Sequence, residues 1–232
     1  TSLGENFLGD VKVIGLQIAL DSTSTYRYAV ATPSISSGSI NLEISHCIIR
    51  SISPKSSQMG IFTNVPTGGT ITVKAWNNVI YDFYYGINSR TNGATVTIYA
   101  YNCTIHKGTY GLYTFFGTLI AKNCLIGTTD AAYRAAGTLT TSYCACTESS
   151  GLTGTGDRSG QTFSFVDESN DDYHLTASDT GAKGYGTNLY NNSYIAFQTD
   201  IDGDDRGGSG ATWDIGADEY VAAYPYYAYA QQ

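Results

Sequence analysis

A repeated segment sets the strongest limit on how this chain can fold. Three segments, 40–49, 71–80 and 96–105, share one pattern: apolar and polar residues alternate, and a two-residue element follows before the apolar position recurs. A shorter copy occupies 119–126, and a degenerate one ends at residues 143–146. Alternation with a period of two places the apolar side chains on one face of a β-strand. We therefore expect each copy to begin with a strand whose inner face belongs to the core.

The two-residue element predicts a corner in the chain. Its first residue is His46, Asn77, Asn102 or Asn123, and its second is Cys47, Asn78, Cys103 or Cys124. Asn, and to a lesser degree His, tolerates the left-handed backbone conformation that a sharp bend requires. A second apolar strand follows, with a small residue at a matching place: Ala29, Gly60, Gly86 and Gly111. Each unit is thus predicted to contain strand, corner, strand, loop, strand and turn.

The spacing of the corners indicates how the units are arranged. Corner residues 47, 78, 103, 124 and 144 are 31, 25, 21 and 20 residues apart, so length varies in the loops and not in the strands. Leucine-rich repeats would need their own consensus, and propeller blades need about 40 residues and four strands. Coils that each wind once around an axis, pair in parallel and bury their inward faces form a β-solenoid.

Composition favours an all-β chain and excludes some partners. Gly (26) and Tyr (20) are abundant and only 14% of residues are charged, which leaves little material for helices. A length of 232 residues suits one large all-β domain. With 12 basic residues and a net charge of −8, nucleic acid is not an expected partner. The sequence contains no run of 18 apolar residues, so no membrane span is predicted, and an exported protein would already have lost its signal.

The chain resembles the right-handed parallel β-helix (pectate-lyase-like) family over about residues 11–146, where Asn77, Asn102 and Asn123 match its asparagine-bearing corner. A second resemblance covers 165–175, 200–206 and 213–220. These stretches are similar to the closing segment of exported bacterial and phage-associated surface β-helix proteins. The resemblance implies β-helix coils in 1–150, a closing or capping segment in 151–220 and an extended aromatic tail in 221–232.

The cysteines are predicted to be structural. Five is an odd number, so at least one thiol is free or pairs between molecules. Thiolates stacked one strand apart do not converge as a zinc site requires, so we expect small inward residues that fill a corner. A disulfide between adjacent coils stays open, because the strand spacing permits one. The histidines are isolated from any Ser or Cys arrangement and are predicted to be surface or turn residues. They are His46, His106 and His174.

An acidic run in the closing segment predicts a calcium site. Asp200, Asp202 and Asp204 supply oxygen donors around Gly203, as Ca²⁺ prefers. The match to an EF-hand is incomplete, because the twelfth position is Ala211 and not glutamate. The alternative is a structural cap, in which Arg206 pairs with Asp214 or Glu219 and the aspartates accept turn amides. No other cofactor is predicted.

Polysaccharide cleavage is the chemistry that the resemblance implies, and the sequence does not support it. Such cleavage needs a carboxylate pair, or calcium-binding acids with an arginine base, on one face. Between residues 40 and 146 the acids are Glu43, Asp82 and Asp130, and Glu43 aligns with Lys74 and Tyr99 in the adjacent coils. No acidic cluster is predicted, so the sequence leans against an enzyme and indicates no catalytic residue.

Aromatic residues occupy several coils: Tyr81, Phe83, Tyr84, Tyr85, Tyr99, Tyr101, Tyr110, Tyr113, Phe115 and Phe116. Some must point outward, because Tyr99 and Tyr101 alternate with inward positions. Exposed aromatics on a flat surface bind sugars or a protein partner, or simply cover the sheet. The tail is also aromatic and uncharged before its carboxylate, which is typical of a docking segment. Its predicted assembly contacts are Tyr224, Tyr226, Tyr227 and Tyr229.

Two functions from different classes remain open. The first is a non-catalytic structural protein, extracellular or on a cell or virion surface, that self-assembles into an oligomer or filament through its faces and tail. A head-to-tail contact would grow a filament unless the rotation closes a ring. The alternative is a carbohydrate-binding or polysaccharide-cleaving protein that uses the aromatic face as its groove. Fold alone does not choose between them.

Overall fold

The computed structural model describes residues 9–22, 24, 26–53 and 56–222, and these residues wind into stacked coils. Each of the first five coils contributes three strands: β1 (Gly9–Ile14), β2 (Gln17–Leu20) and β3 (Tyr28–Thr32); β4 (Ser39–Ser45), β5 (Ile48–Ser51) and β6 (Met59–Thr63); β7 (Thr70–Trp76), β8 (Val79–Tyr81) and β9 (Tyr85–Arg90); β10 (Thr95–Tyr101), β11 (Thr104–His106) and β12 (Tyr110–Phe115); β13 (Thr118–Lys122), β14 (Leu125–Gly127) and β15 (Ala131–Ala135). A sixth, partial coil holds β16 (Thr138–Ser142) and β17 (Ala145–Cys146).

Matching strands of successive coils form three parallel sheets. The first sheet has the order β1-β4-β7-β10-β13-β16, the second β2-β5-β8-β11-β14-β17 and the third β3-β6-β9-β12-β15. Registers follow the sequence repeat: Val73 pairs with Ile98, and Ile98 with Leu119. All three side chains are fully buried. The predicted fold class, an all-β right-handed parallel β-helix, is confirmed.

The corner between the first and second sheets has the predicted backbone. His46, Asn77, Asn102, Asn123 and Tyr143 all adopt the left-handed conformation, with φ between 45° and 54°. Asn reaches this region at lower cost than most residues, which explains its recurrence at the bend.

The residue after each corner points inward. Cys47, Cys103, Cys124 and Cys144 are fully buried and free, as is Cys146, so the prediction of small inward residues is confirmed. Asn78 occupies the same column in the third coil. Its side chain accepts a hydrogen bond from the backbone N–H of Cys47 (3.0 Å) and donates one to the carbonyl of Ile44 (2.9 Å), so both of its polar ends are paired inside the core.

The small residues of the third sheet make room for the second sheet. A Cβ on Gly86 would lie 2.4 Å from Cγ2 of Ile105, and a Cβ on Gly111 would lie 2.4 Å from Cγ2 of Ile126. Contacts this short are not tolerated in a packed core. Glycine is therefore required here by packing between sheets.

The chain after the sixth coil covers one end of the β-helix. Isolated parallel bridges join Ser142 to Thr155 and Ala145 to Arg158, which continues the first and second sheets. Leu152 is 8% exposed and packs on the core. Residues 147–160 thus lie across the C-terminal end of the coils.

The rest of the closing segment runs along the side of the β-helix. It contains a hairpin of β18 (Phe165–Asp167) and β19 (Asp172–Leu175) around a 3₁₀ turn, Glu168–Asn170, and is otherwise irregular. The corner asparagines hold it: Asn77, Asn102 and Asn123 donate to the carbonyls of Thr199 (2.7 Å), Gly216 (3.1 Å) and Thr187 (2.7 Å). Within the described residues, no helix has the length and hydropathy needed to cross a membrane.

Candidate functional site

The outer face of the third sheet carries a continuous run of aromatic rings. In β9 and β12, Ile87 and Leu112 point into the core, and the residues after them alternate between the two faces. Tyr113 therefore lies beside Asn88, and Phe115 beside Arg90, on the outer face. Tyr85 and Tyr110 form another outward pair at the strand start. We name this set the aromatic strip; its members are Tyr84, Tyr85, Tyr110, Tyr113, Phe115 and Phe116.

The rings of the aromatic strip lie within contact distance of one another across neighbouring coils. The ring centroids of Tyr85 and Tyr110 are 5.5 Å apart with an interplanar angle of 18°, and those of Tyr85 and Tyr113 are 4.6 Å apart. The ring planes of Tyr113 and Phe115 are nearly parallel, with an interplanar angle of 7°. Phe115 and Phe116 remain 36% and 52% exposed. The strip therefore offers solvent a broad apolar surface with hydroxyl groups at its edges.

Two arginines extend this surface. The guanidinium of Arg90 lies 5.4 Å from the ring centroid of Phe115, and that of Arg134 lies 5.9 Å from the ring centroid of Tyr110. Both distances are within the range of cation–π attraction. A hydrogen bond to Asp130 raises the pKa of Tyr110, and burial raises that of Tyr85. Both phenols therefore stay protonated at neutral pH, and the Tyr110 hydroxyl donates to Asp130.

A small cavity opens beside the aromatic strip. Its volume is about 180 Å³, and its walls include Tyr85, Tyr113, Phe115 and Arg90. Asn88 also lines it and is 1% exposed. The Asn88 amide nitrogen contacts Sδ of Met59 at 3.4 Å, while Oδ1 has no hydrogen-bond partner among the described residues. An unpaired buried polar atom costs about 1–3 kcal/mol, so a hydroxyl that reached Oδ1 through the cavity wall would relieve this cost.

Other predicted aromatics have a different role, because they bind the closing segment. Tyr101 points outward from β10 as predicted, yet it is fully buried beneath Leu189, Ile195 and Trp213. Tyr99 stacks on Tyr194, with centroids 4.6 Å apart. Tyr81 similarly packs on Tyr173, at 5.1 Å, while Phe83 lies in the main core.

Asp200 and Asp202 of the predicted calcium site have different hydrogen-bond partners in the structure. Asp200 is fully buried: its Oδ1 accepts backbone N–H groups from Asp202 and Asp204, and its Oδ2 accepts that of Glu219. Asp202 instead turns to His174, with Oδ2 2.8 Å from Nε2. Such amide bonds are what the structural-cap alternative predicted for Asp200. The calcium site at Asp200, Asp202 and Asp204 stays a prediction.

A cluster that the sequence did not predict joins Asp202 to His174 and Asp218, whose ligand atoms all lie within 4.8 Å of one another. His174 is held on both sides, because Nδ1 also lies 2.5 Å from Asp172. The hydrogen bond to Asp202, aided by Asp172, raises the pKa of His174 to about 10. A protonated His174 that donates a hydrogen bond from each ring nitrogen has no free lone pair for a metal. We therefore describe the cluster as an ion-paired clamp.

The predicted pairing of Arg206 with Glu219 is confirmed. The two side chains are 3.0 Å apart, and Arg206 is 2% exposed. Arg206 also donates to the carbonyls of Gly216 (3.0 Å) and Ala217 (2.6 Å). Asp214 accepts the backbone N–H groups of Gly184 and Tyr220. The acidic motifs of the closing segment therefore serve to satisfy buried backbone.

Most of the remaining predicted residues lie apart from the aromatic strip, whereas Asp130 is hydrogen-bonded to Tyr110 of the strip. His46 occupies a corner, and His106 bonds to Glu168 at 2.9 Å. Glu43 pairs with Lys12 on the first sheet at 2.7 Å, whereas Asp82 and Asp130 lie in the connections before β9 and β15. The tail tyrosines 224, 226, 227 and 229 lie outside the described residues, so their role in assembly stays a prediction.

The fold and the exposed face together define a parallel β-helix protein with aromatic rings on the outer face of its third sheet. Comparison of the chain with protein-family models, with curated proteins and with solved structures found no match.

Proposed function

We propose that this chain is a carbohydrate-binding β-helix protein and that the aromatic strip is its polysaccharide site. The observation that carries this proposal is the row of outward rings from Tyr85 to Phe115, beside a cavity lined by Asn88, whose Oδ1 has no partner among the described residues. Binding sites for small ligands are mainly apolar and aromatic, with a few polar groups that fix orientation. Sugar rings have apolar faces and hydroxyl edges, which match these two elements.

The spacing of the site favours an extended ligand. Strands of successive coils lie about 4.8 Å apart, so the strip, which crosses the third and fourth coils, offers more than one stacking position. Arg90 and Arg134 add donors for hydroxyl or carboxylate groups. A chain of several sugars would engage the whole strip, whereas a monosaccharide would reach only the cavity beside Asn88. The finer resemblance to pectate-lyase-like β-helices is part of this proposal.

Retention on a panel of neutral and acidic polysaccharides in affinity electrophoresis tests the proposal. We expect at least one polysaccharide to retard the chain, and Tyr113→Ala and Phe115→Ala to weaken binding by about tenfold each, since one lost aromatic contact is worth about 1 kcal/mol or more. Tyr190→Ala is the matched control, because Tyr190 is 38% exposed and lies outside the strip. Retention by none of the panel, or equal loss in the control, would overturn the proposal.

Assay of the same panel for new reducing or unsaturated sugar ends separates binding from cleavage. Described acids near the strip are few, and Asp130 is already bonded to Tyr110. We therefore expect retention without release of sugar ends. Release that Tyr113→Ala abolishes would favour the cleaving alternative.

A structural role at a cell or virion surface is the second candidate function. It requires contact between copies of the chain, and the exposed rings of Phe115 and Phe116 are the observation that favours it. Extracellular location accompanies both candidates as a prediction, since polysaccharides and surface assemblies are both found outside the cell.

A further inference from the structure

Three stretches of the closing segment converge on one point, away from the aromatic strip. His174 lies on β19, Asp202 lies in the turn that follows Asp200, and Asp218 lies in the stretch 213–220. One ligand atom of each residue lies within 4.8 Å of the other two. The side chains of His174 and Asp202 are half exposed, whereas Asp218 is 8% exposed. An imidazole and two carboxylates thus meet at a point that solvent can reach.

Hydrogen bonds hold the backbone around the two aspartates. The Ile201 N–H donates to the Ala217 carbonyl at 3.0 Å. Asp202 and Asp218, the next residues along, are thereby placed side by side. The Ala217 N–H donates in turn to Oγ1 of Thr104 on β11, at 2.9 Å. The carboxylates are therefore presented by backbone that is fixed to the coils, as a binding site requires.

Asp172 orients the imidazole of His174. Its carboxylate lies 2.5 Å from Nδ1, and Nε2 lies 2.8 Å from Asp202. Histidine ligands of metal ions commonly donate the second ring N–H to a carboxylate in this way, which fixes the tautomer and the ring orientation. The Asp218 carboxylate is oriented similarly, because its Oδ2 accepts the backbone N–H of Leu175 at 2.7 Å. No described residue donates a hydrogen bond to its Oδ1.

Negative charge exceeds positive charge at this point. Three carboxylates lie around the imidazole of His174: those of Asp172, Asp202 and Asp218. The imidazolium supplies one positive charge against three negative ones. Acids in excess are unfavourable where they are removed from water, and Asp218 is buried. A divalent ion in place of the Nε2 proton would raise the positive charge from one to two.

The donor set selects the kind of ion. One imidazole nitrogen and two carboxylate oxygens suit Zn²⁺, with water in the fourth position. Ca²⁺ takes six to eight oxygen ligands and is poorly matched. Zinc bonds of about 2.0–2.2 Å in tetrahedral geometry put ligand atoms about 3.4 Å apart. The 2.8 Å contact between His174 and Asp202 and the upper limit of 4.8 Å lie on either side of this value, so small side-chain rotations reach it.

We propose that His174, Asp202 and Asp218 bind one Zn²⁺ ion, which ties β19 to the two stretches that carry the aspartates. His174 coordinates through Nε2 after the proton on that nitrogen has left, while its Nδ1–H stays bonded to Asp172. The ion-paired clamp and the zinc-bound form are thus two states of the same residues. This inference goes beyond the proposed function and does not depend on polysaccharide binding.

Isothermal titration calorimetry of the whole chain with ZnCl₂ at pH 8, after treatment with a chelator, tests this proposal. We expect one Zn²⁺ per chain, with a dissociation constant about tenfold or more higher in Asp218→Asn and in His174→Gln, since each variant lacks a ligand. Asp172→Asn should weaken binding about 10–100-fold, as loss of an outer-shell partner does. Asp204→Asn is the matched control, because Asp204 belongs to the same acidic run as Asp202 but not to the cluster.

Thermal unfolding followed by circular dichroism gives a second measurement and shows whether each variant folds. Zn²⁺ at a hundredfold excess over its dissociation constant should raise the wild-type midpoint by about 5 °C or more and leave that of His174→Gln unchanged. Absence of Zn²⁺ binding, equal weakening in Asp204→Asn, or full binding by a folded His174→Gln would overturn the proposal. Ca²⁺ that binds more tightly than Zn²⁺ and is lost in Asp204→Asn would also overturn it, and would support the calcium site predicted from the acidic run.

Discussion

Asn123 and Thr187 form a reciprocal pair: the Asn123 side chain donates to the Thr187 carbonyl at 2.7 Å and accepts the Thr187 backbone N–H at 2.8 Å. Asn123 is fully buried and has a φ of 51°. One residue therefore serves both as the corner of a coil and as the attachment point for a segment 64 residues further along the chain.

Substitution of Asn123 separates these two roles. Asn123→Ala should lower the free energy of unfolding by about 3 kcal/mol. It removes buried hydrogen bonds, and it places alanine, which disfavours positive φ, at the corner. Asn123→Gly should cost less, because glycine relieves the backbone term alone. Urea denaturation followed by tyrosine and tryptophan fluorescence measures both. Equal losses in the two variants would mean that the left-handed backbone contributes little.

Removal of the buried Arg206 guanidinium should be among the most damaging changes in the closing segment. Arg206→Met leaves the partly buried Glu219 without its cationic partner and removes one donor from each of two carbonyls, and we expect a loss of about 3–5 kcal/mol. Arg50→Met is the control, because its pairing with Asp171 is long, at 3.9 Å, and partly exposed. It should change stability by less than about 0.5 kcal/mol. Urea denaturation gives the comparison, and a neutral Arg206→Met would contradict the role assigned to this side chain.

Gly86 should not tolerate even one added methyl group. Gly86→Ala forces a Cβ to within 2.8 Å of the Gly111 carbonyl as well as onto Ile105, and overpacking of this kind costs about 1–3 kcal/mol. Gly208→Ala is the control, since nothing lies within 4 Å of its Cβ position. Thermal unfolding by circular dichroism should show a lower midpoint for the first variant alone. Similar midpoints for both would show that the sheets can move apart freely.

The His174 clamp predicts a dependence of stability on alkaline pH. The folded-state pKa of about 10 lies above the ordinary value of 6.5. The clamp therefore stabilises the fold fully below about pH 6.5, and this contribution is lost as the pH rises toward 10. The difference in unfolding midpoint between the wild type and His174→Gln should shrink from pH 6 to pH 10. A difference that stays constant across this range would show that His174 does not titrate with the fold.

The coils could be predicted from the sequence because their determinants are local. Alternation identified the inward residues, and the bend residues identified the corners, including the left-handed Asn102. The path of the closing segment could not be predicted in this way. It depends on single contacts between distant residues, such as Asn102 with Gly216, and on irregular backbone without a period.

The aromatic strip was predicted only in part, for the same reason. Alternation shows which aromatics point outward but not which of them another segment covers, so Tyr101 and Tyr113 look alike in sequence although only Tyr101 is fully buried. Asn88 and Arg90 were missed, although Asn88 follows the inward Ile87 and Arg90 lies two residues further along the same strand, which places both on the outer face. The His174 clamp was missed because its partner Asp202 is 28 residues away.

The connections between strands explain how coils of different length share one stack. The loop from the third sheet to the first shrinks from residues 64–69 to 116–117, while the strands on either side keep their register. Because these loops leave from the perimeter, an insertion there changes one layer without moving its neighbours. The molecule can therefore acquire a new recognition loop, by evolution or by grafting, at the rim of any chosen layer.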